Sequence, residues 1–194
     1  MENKGLLLIP DLSGFSNFVT TRELKCSQHV IKELLEVLID SNQLGLEISE
    51  IEGDAVLFFK FGPLPELKDI FDQVKKMFFN FHQYLQMYEK MRTCDCNACV
   101  SVINLSLKVI THYGEFAKYQ VKNFDKLIGK DVVVAHQLLK NDIDLHEYWL
   151  MTKSMLPNIQ SNEFDETIIW HQGLKQTEQG EMQFIYTFLT PYKK

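Results

Sequence analysis

The sequence contains no long apolar segment and no cluster of basic residues. No run approaches the roughly 20 apolar residues that a transmembrane helix needs. The apolar run 6–9 is too short for a signal peptide and is broken by Pro10 and Asp11. The chain has 20 Lys and Arg against 26 Asp and Glu, a net charge of −6, whereas nucleic-acid-binding domains usually present a basic stripe. We therefore expect a cytoplasmic protein that binds neither membranes nor nucleic acids.

Cysteine, glycine and proline are also scarce, at four, nine and five residues. Four cysteines in a domain of this size do not indicate a disulfide scaffold, and we expect them to be reduced. The 194 residues contain no repeat and no low-complexity linker, and 45% of them are hydrophobic, which is enough to bury one core. A single domain is predicted, with a core over residues 5–155 and a C-terminal hairpin extension over 156–194.

Several enzyme motifs are absent from the sequence. There is no nucleophile elbow, no Walker loop, no Rossmann glycine fingerprint and no His-Glu-x-x-His segment. Any chemistry must therefore come from other combinations of residues.

Hydrophobic periodicity predicts an alternation of strands and helices. Short apolar or alternating runs predict strands, and apolar residues at helical spacing predict helices. A cap at Thr20 or Thr21 is expected to start the first helix. The predicted strands cover 5–9, 46–51, 55–61, 105–112, 116–121, 148–152, 167–170 and 182–189, and the predicted helices cover 21–39, 65 to about 91–94, and 131–139. Turns are predicted at 113–115, after which 116–121 pairs back, and at Gln179-Gly180 in the C-terminal hairpin.

The order of these elements predicts the fold class. The chain opens with β-α-β-β-α-β, which is the ferredoxin-like unit. We predict an α+β domain in which helices cover one face of a mostly antiparallel sheet, followed by a C-terminal β-hairpin. In such a unit the first strand lies beside the third, so the end of the first strand lies near the turn that begins the third.

Two carboxylates occupy that predicted meeting point. Asp11 follows the first strand, and Asp54 lies in the hairpin turn before the third. Paired carboxylates suit Mg²⁺ or Mn²⁺, and the backbone N–H groups of Ser13, Gly14 and Phe15 are placed to hold a phosphate. The alternative is that Asp11 caps a turn and Asp54 is an ordinary turn residue.

Four segments resemble motifs of the class III nucleotide cyclases, in the order expected for that family. The resemblance extends over residues 6–152 and is greatest to an uncharacterised bacterial branch, which has Cys-x-Cys-x-x-Cys before its fourth strand. That branch carries no assigned activity. The segments are Ile9-Pro-Asp-Leu-Ser-Gly-Phe-Ser16, Glu50-Ile-Glu-Gly-Asp-Ala55, Leu107-Lys-Val-Ile-Thr-His-Tyr-Gly114 and Leu127-Ile-Gly-Lys-Asp-Val-Val-Val-Ala135.

The resemblance implies roles for individual residues. Asp11 and Asp54 match the two metal-binding aspartates of the cyclases. Glu50 matches a purine-reading position, where the guanylyl type has Glu, and Lys126 lies near the second purine-reading position. Because cyclase sites form between two domains, the resemblance also implies a homodimer.

Two other positions depart from the family pattern. Val133 replaces the Asn that orients the ribose, and Gln137 replaces the Arg that stabilises charge on the transferring phosphate. Loss of such a cation commonly costs on the order of 10²–10⁵ in rate. Lys140 and His136 are the residues available to substitute.

We therefore expect a non-catalytic or degenerate cyclase-homology domain that binds a divalent metal or a purine nucleotide. One alternative is an active purine nucleotide cyclase, with guanine slightly favoured by Glu50. Another is a zinc-stabilised protein-interaction module.

That last alternative comes from the cysteines. Cys94, Cys96 and Cys99 are spaced so that they offer three zinc ligands. The other interpretations are small buried residues in a helix-to-strand connection and a redox-active thiol pair. The fourth zinc ligand is left open among Cys26, His29, His82 and Asp95.

Two histidines lie close to the cyclase-like motifs. His112 is placed at the end of a strand, where a packed or hydrogen-bonded histidine is more typical than a general base. His136 lies in the third predicted helix, and we expect it to line the core or an interface.

Overall fold

A seven-stranded sheet forms the centre of the protein. The computed structural model describes residues 3–20, 23–158, 168–177 and 180–193. The strands are β1 (Lys4–Ser13), β2 (Glu47–Glu52), β3 (Ala55–Phe61), β4 (Ser106–Glu115), β5 (Ala117–Val121), β6 (Phe124–Ile128), β7 (Tyr148–Thr152), β8 (His171–Thr177) and β9 (Gly180–Phe188).

The sheet has the order β2-β3-β1-β4-β7-β9-β8, and β5 and β6 form a separate two-stranded sheet. β4 and β7 are parallel, whereas the other paired strands are antiparallel. The first four strands therefore have the ferredoxin-like order. The predicted α+β class with a mostly antiparallel sheet is confirmed.

Helices lie on both faces of this sheet. They are α1 (Phe15–Val19), α2 (Leu24–Asp40), α3 (Leu67–Met91), α4 (Asn97–Ser101) and α5 (Lys130–Leu138). α2 and α3 pack on the face that carries Leu8 and Phe58, as expected. α5 packs on the opposite face, against Leu7 and Leu57. The expectation that all helices share one face is therefore wrong for α5. The reason is that both faces of the sheet carry apolar side chains, and the apolar side of α5 packs on the second face.

β1 continues beyond the point where the sequence predicted its end. Pro10 was expected to terminate the strand, but β1 runs to Ser13, and Pro10 pairs with Val109 of β4. Proline lacks only the N–H, so a strand can continue where that donor is not required. Pairing with β3 is recorded up to Leu8 and again at Asp11. Asp11 consequently lies within a strand and not in a turn.

The segment after β4 differs most from expectation. The predicted turn at 113–115 is wrong, because β4 continues to Glu115, and β5 pairs with β6 and not with β4. A Cβ on Gly114 would collide with the carboxyl group of Asp131, so glycine at this position allows α5 to approach the end of β4 closely. β5 and β6 form a short hairpin whose backbone is not paired with the main sheet.

The C-terminal hairpin is present but starts later than predicted. Residues 168–170 are not a strand, and β8 pairs with β9, which itself joins β7 in the main sheet. Trp170 packs against Trp149 instead. The predicted strand residue Thr167, turn residue Gln179 and cap residue Thr21 lie outside the described residues. Among the helices that are described, none combines the length and hydrophobicity needed to span a membrane.

Candidate functional site

The two aspartates predicted to converge do so at the end of β1. Asp11 pairs with Ala55, the first residue of β3, and the N–H of Leu12 donates to the carbonyl oxygen of Asp54 at 3.1 Å. Burial and the neighbouring Asp11 carboxylate raise the pKa of Asp54 to about 6. Two negative charges are thus held close together at a partly buried position.

A lysine that belongs to none of the predicted site residues lies beside these two aspartates. Lys108 lies opposite Asp11 in the β1–β4 register. Its Nζ is 2.8 Å from Asp11 Oδ2, and the two side chains are only 16% and 12% exposed. Lys108 also donates to the carbonyl oxygen of Leu139 at 3.0 Å. The alternation of the strand already indicates the face on which Lys108 lies. Leu107 and Val109 face the core beneath α2 and α3, so Lys108 between them must face the other side of the sheet.

These residues line a cleft of about 270 Å³, here called the acidic cleft. α5 and the segment after it close one side of the cleft. Ser13, Gly14 and Phe15 are not among its described lining residues; Gly14 begins α1 with φ 92°, and Phe15 lies beside the turn at Gly53. The lining residues are Ile9, Asp11, Glu52, Asp54, Ala55, Leu57, Lys108, His136, Leu139 and Lys140.

The two residues at the implied purine-reading positions are also brought together. Lys126 on β6 donates a hydrogen bond to Glu50 on β2, although the two are 76 residues apart. This hydrogen bond is the main reason that the pKa of Lys126 is raised. His136 Nε2 lies 3.9 Å from Glu50 Oε1. Glu50 and Lys126 of the same chain therefore bind each other directly.

Val133 and Gln137 lie one turn apart on α5. Val133 is 45% exposed, and the buried side-chain oxygen of Gln137 has no hydrogen-bond partner. Neither side chain can supply a positive charge. The cation nearest in sequence that lines the acidic cleft is Lys140.

His112 forms a separate buried network beneath α5. Its Nδ1 is 2.6 Å from Thr152 Oγ1, and its Nε2 is 3.0 Å from Asp131 Oδ1. Burial lowers the pKa of His112 in spite of the nearby carboxylate. Asp131 in turn accepts a hydrogen bond from the N–H of Glu115 at 2.6 Å. The network links β4, β7 and α5, as expected of a packed and hydrogen-bonded histidine.

The four cysteines meet at a second position, here called the cysteine cluster. Cys26 lies in the first turn of α2, Cys94 and Cys96 lie between α3 and α4, and Cys99 lies in α4. Their sulfur atoms are all within 4.8 Å of one another. The structure thus favours Cys26 among the four residues considered for the fourth position. All four cysteines are free thiols.

Several polar groups contact the sulfur atoms of this cluster. Cys96 caps α4, and its Sγ accepts the N–H of Cys99 at 3.5 Å. That N–H is the main reason that the pKa of Cys96 is lowered to about 7. The hydroxyl of Tyr88 donates to Cys99 Sγ at 3.1 Å. Sulfur contacts to Cys96 and Cys99 raise the pKa of Cys26 to about 12.

Comparison with known sequences places the chain in a family. Residues 31–148 match the family described as "Protein of unknown function (DUF2652)". The chain belongs to this family. A curated relative, the uncharacterized protein Rv2561/Rv2562 of Mycobacterium tuberculosis, is 35% identical over 120 residues, which cover 62% of this chain and 56% of the relative. The chain therefore matches little more than half the length of that relative.

Comparison with solved structures shows the fold of the DUF2652 chain. The catalytic core of a rhodopsin-guanylyl cyclase, solved with ATPαS, has a TM-score of 0.62 at 12% identity, with 96% of both chains covered. The adenylyl cyclase CyaB from P. aeruginosa gives 0.61 at 13%, covering 96% and 94%. A dimeric guanylyl cyclase domain from the fungus Blastocladiella emersonii gives 0.60 at 14%, covering 96% of both. The predicted resemblance to nucleotide cyclases is confirmed at the level of fold.

Proposed function

We propose that this domain is a degenerate nucleotide-cyclase-homology domain, which binds a purine nucleoside triphosphate with a divalent cation but does not cyclise it. The observation that supports this proposal most strongly is the convergence of Asp11 and Asp54 in the acidic cleft. Carboxylate oxygens are the ligands that Mg²⁺ and Mn²⁺ prefer, and such cations bind triphosphate oxygens. The two aspartates fit a divalent cation by the chemistry of their donor atoms.

The loss of turnover is supported by three features of the same region. The ammonium group of Lys108 already neutralises Asp11 at 2.8 Å. Val133 and Gln137 cannot orient a ribose or stabilise a transferring phosphate as Asn and Arg do. Phosphoryl transfer depends on positioning and charge neutralisation, so these changes are expected to remove most of the rate.

The proposal includes a second copy of the chain. One of the structural relatives is described as a dimeric guanylyl cyclase domain. In this chain the β5–β6 hairpin exposes four large apolar side chains, those of Tyr119, Val121, Phe124 and Ile128. Exposed apolar side chains grouped in this way are typical of an interface. Sedimentation of the full chain is expected to show a dimer, and a monomer at all concentrations would contradict this part.

Thermal denaturation with Mn²⁺, with GTP or ATP, and with both together tests the binding. At a ligand concentration of about 100 times Kd, a single site adds about 2.7 kcal/mol, which for this chain length raises Tm by about 5–10 °C. We expect that shift only when Mn²⁺ and a purine triphosphate are both present. It is expected to disappear in Asp54→Asn, which leaves the Asp11–Lys108 pair intact.

Asp72→Asn is the matched control. Asp72 lies on α3, is not among the residues that line the acidic cleft, and pairs with Lys68 at 2.6 Å, so its loss should leave the thermal shift unchanged. Chromatography of the reaction mixture is expected to show no cyclic nucleotide. Cyclic nucleotide formation would overturn the proposed loss of catalysis, and an absence of any shift would overturn the proposed binding.

A further inference from the structure

The cysteine cluster joins parts of the chain that are distant in sequence. Cys26 belongs to α2, whereas Cys94, Cys96 and Cys99 come from the connection after α3 and from α4. The four sulfur atoms lie within 4.8 Å of one another. A Zn–S bond of about 2.3 Å in a tetrahedral site corresponds to sulfur–sulfur separations of about 3.8 Å. A modest contraction therefore brings all four sulfur atoms to zinc-ligand distances.

The environment of these cysteines does not suit the other interpretations. If they were only small core residues, all four would be buried, yet Cys94 is exposed and Cys26 and Cys96 are half-buried. A disulfide joins sulfur atoms in pairs, so it does not explain why four of them share one position. The mutual arrangement of the four is typical of a tetrahedral metal site.

Neighbouring groups are placed to stabilise deprotonated sulfur. The N–H of Cys99 points to Cys96 Sγ, and the hydroxyl of Tyr88 points to Cys99 Sγ. Outer hydrogen bonds of this kind orient metal ligands and tune their basicity. The guanidinium of Arg92 donates to the carbonyl oxygen of Cys94 at 3.1 Å, so a positive charge lies beside a site that carries net negative charge when four thiolates surround Zn²⁺.

We propose that Cys26, Cys94, Cys96 and Cys99 bind one structural Zn²⁺ ion. Four protein ligands leave no open coordination position, so the ion is structural and does not activate water. On binding, the four thiols lose their protons to solvent and the sulfur atoms form four Zn–S bonds. This site is separate from the acidic cleft, and its occupancy does not depend on nucleotide binding.

The ion would fix the end of α3 and the start of α4 to α2. Ser27, next to Cys26, donates a hydrogen bond to the carbonyl oxygen of Phe18 at 3.4 Å. α1 follows directly after β1, which carries Asp11. Zinc at Cys26 therefore stabilises the path of the chain that leads out of the central sheet.

Elemental analysis of the full chain, purified in the presence of a thiol reductant, tests the proposal directly. One zinc ion per chain is expected. Replacement by Co²⁺ is expected to give the visible absorption bands and the sulfur-to-cobalt charge-transfer bands of a tetrahedral thiolate site. Removing zinc with a strong chelator is expected to lower Tm by about 10 °C. A protein without bound metal whose four thiols react freely, or one that holds iron instead, overturns the proposal.

Two variants at position 26 and one control separate ligation from folding. Cys26→Ser is expected to lose most of the zinc, and Cys26→His is expected to keep it with a changed cobalt spectrum. His29→Ala is the control, because His29 was an alternative ligand and lies on the same helix, where it faces Glu33 at 3.9 Å. It should retain one zinc ion. Loss of zinc in His29→Ala together with full zinc in Cys26→Ser contradicts the assignment. If Cys26→Ser does not fold, the zinc content of the unmodified chain decides.

Discussion

The acidic cleft and the cysteine cluster both bring together side chains that can bind a cation, but they differ in how complete they are. In the cysteine cluster, four sulfur atoms from one chain lie within 4.8 Å of one another, and the neighbouring guanidinium of Arg92 contacts the carbonyl oxygen of Cys94. In the acidic cleft, the Lys108 ammonium lies 2.8 Å from one of two carboxylates. One chain can therefore supply all the ligands of the cysteine cluster, whereas in the acidic cleft the same chain neutralises one of its own carboxylates.

The physical origin of this difference is the register of the central strands. Asp11 lies opposite Lys108 in the pairing of β1 with β4, so the internal cation is fixed by the sheet and does not depend on a mobile loop. A divalent ion must compete with that ammonium group for Asp11. Two carboxylates beside each other carry unfavourable repulsion, and Lys108 relieves part of it without any ligand.

The largest effect is expected from Lys108→Gln, which removes the internal cation of the acidic cleft. It leaves Asp11 nearly buried and unpaired beside Asp54, and loss of one partner of a buried pair is strongly destabilising. In a metal-free solution with a chelator we expect unfolding free energy to fall by about 2–3 kcal/mol. Mn²⁺ should restore most of this loss, because the cleft then lacks its internal cation. Urea denaturation with and without Mn²⁺ measures both effects.

Lys118→Gln serves as the control for this experiment. Lys118 pairs with Asp125 at 3.0 Å, but both side chains are well exposed, and such pairs contribute about 0–1 kcal/mol. It should show a small loss and no response to Mn²⁺. If Lys108→Gln also shows a small loss of stability and no response to Mn²⁺, Lys108 does not neutralise the charge of Asp11 and Asp54.

The same comparison shows what could be predicted from the sequence. The meeting of Asp11 and Asp54 follows from the ferredoxin-like order, in which the first and third strands are neighbours. Cys94, Cys96 and Cys99 are close because they are local in sequence. Cys26 could be considered only as one of several candidates, since its position depends on how α2 packs beside α4.

Other features depended on tertiary structure that periodicity does not contain. The alternation of β4 shows which face of the sheet Lys108 occupies, but its pairing with Asp11 is set by the register of β1 with β4. Pro10 is typical of a strand end, but β1 continues to Ser13. The position of α5 on the second face of the sheet could not be found from its sequence, because a helix with an apolar stripe can pack on either face.

A smaller effect is expected from Asp54→Asn. The pKa of Asp54 is raised to about 6 from 3.8, so the folded state holds a proton that the unfolded state has lost. Stability therefore falls as pH rises from about 4 to 6, and the penalty is fully present above pH 6. Asn removes it, and we expect about 1 kcal/mol of stabilisation at pH 7.5, reduced from the full shift because the cleft is open to solvent. At pH 4 the difference should be close to zero.

Chemical denaturation at the two pH values, without divalent cations, measures this effect. Glu52→Gln is the control, because Glu52 lines the same cleft but its side chain is mostly exposed. It should change stability little at either pH. An Asp54→Asn variant that is less stable at pH 7.5 would show that the carboxylate is stabilised by its surroundings, and that the two acids do not repel one another.

The smallest effect is expected from the same chemical change beside the cysteine cluster. Asp95 lies between Cys94 and Cys96 and was an alternative zinc ligand, but its side chain is 92% exposed and pairs with Arg92 at 2.5 Å. Asp95→Asn should change unfolding free energy by less than about 0.5 kcal/mol and should leave the zinc content at one ion per chain. Denaturation and elemental analysis of one sample check both values. A loss of zinc would mean that a carboxylate takes the place of one sulfur atom, and the contrast between an all-sulfur site and the acidic cleft would then fail.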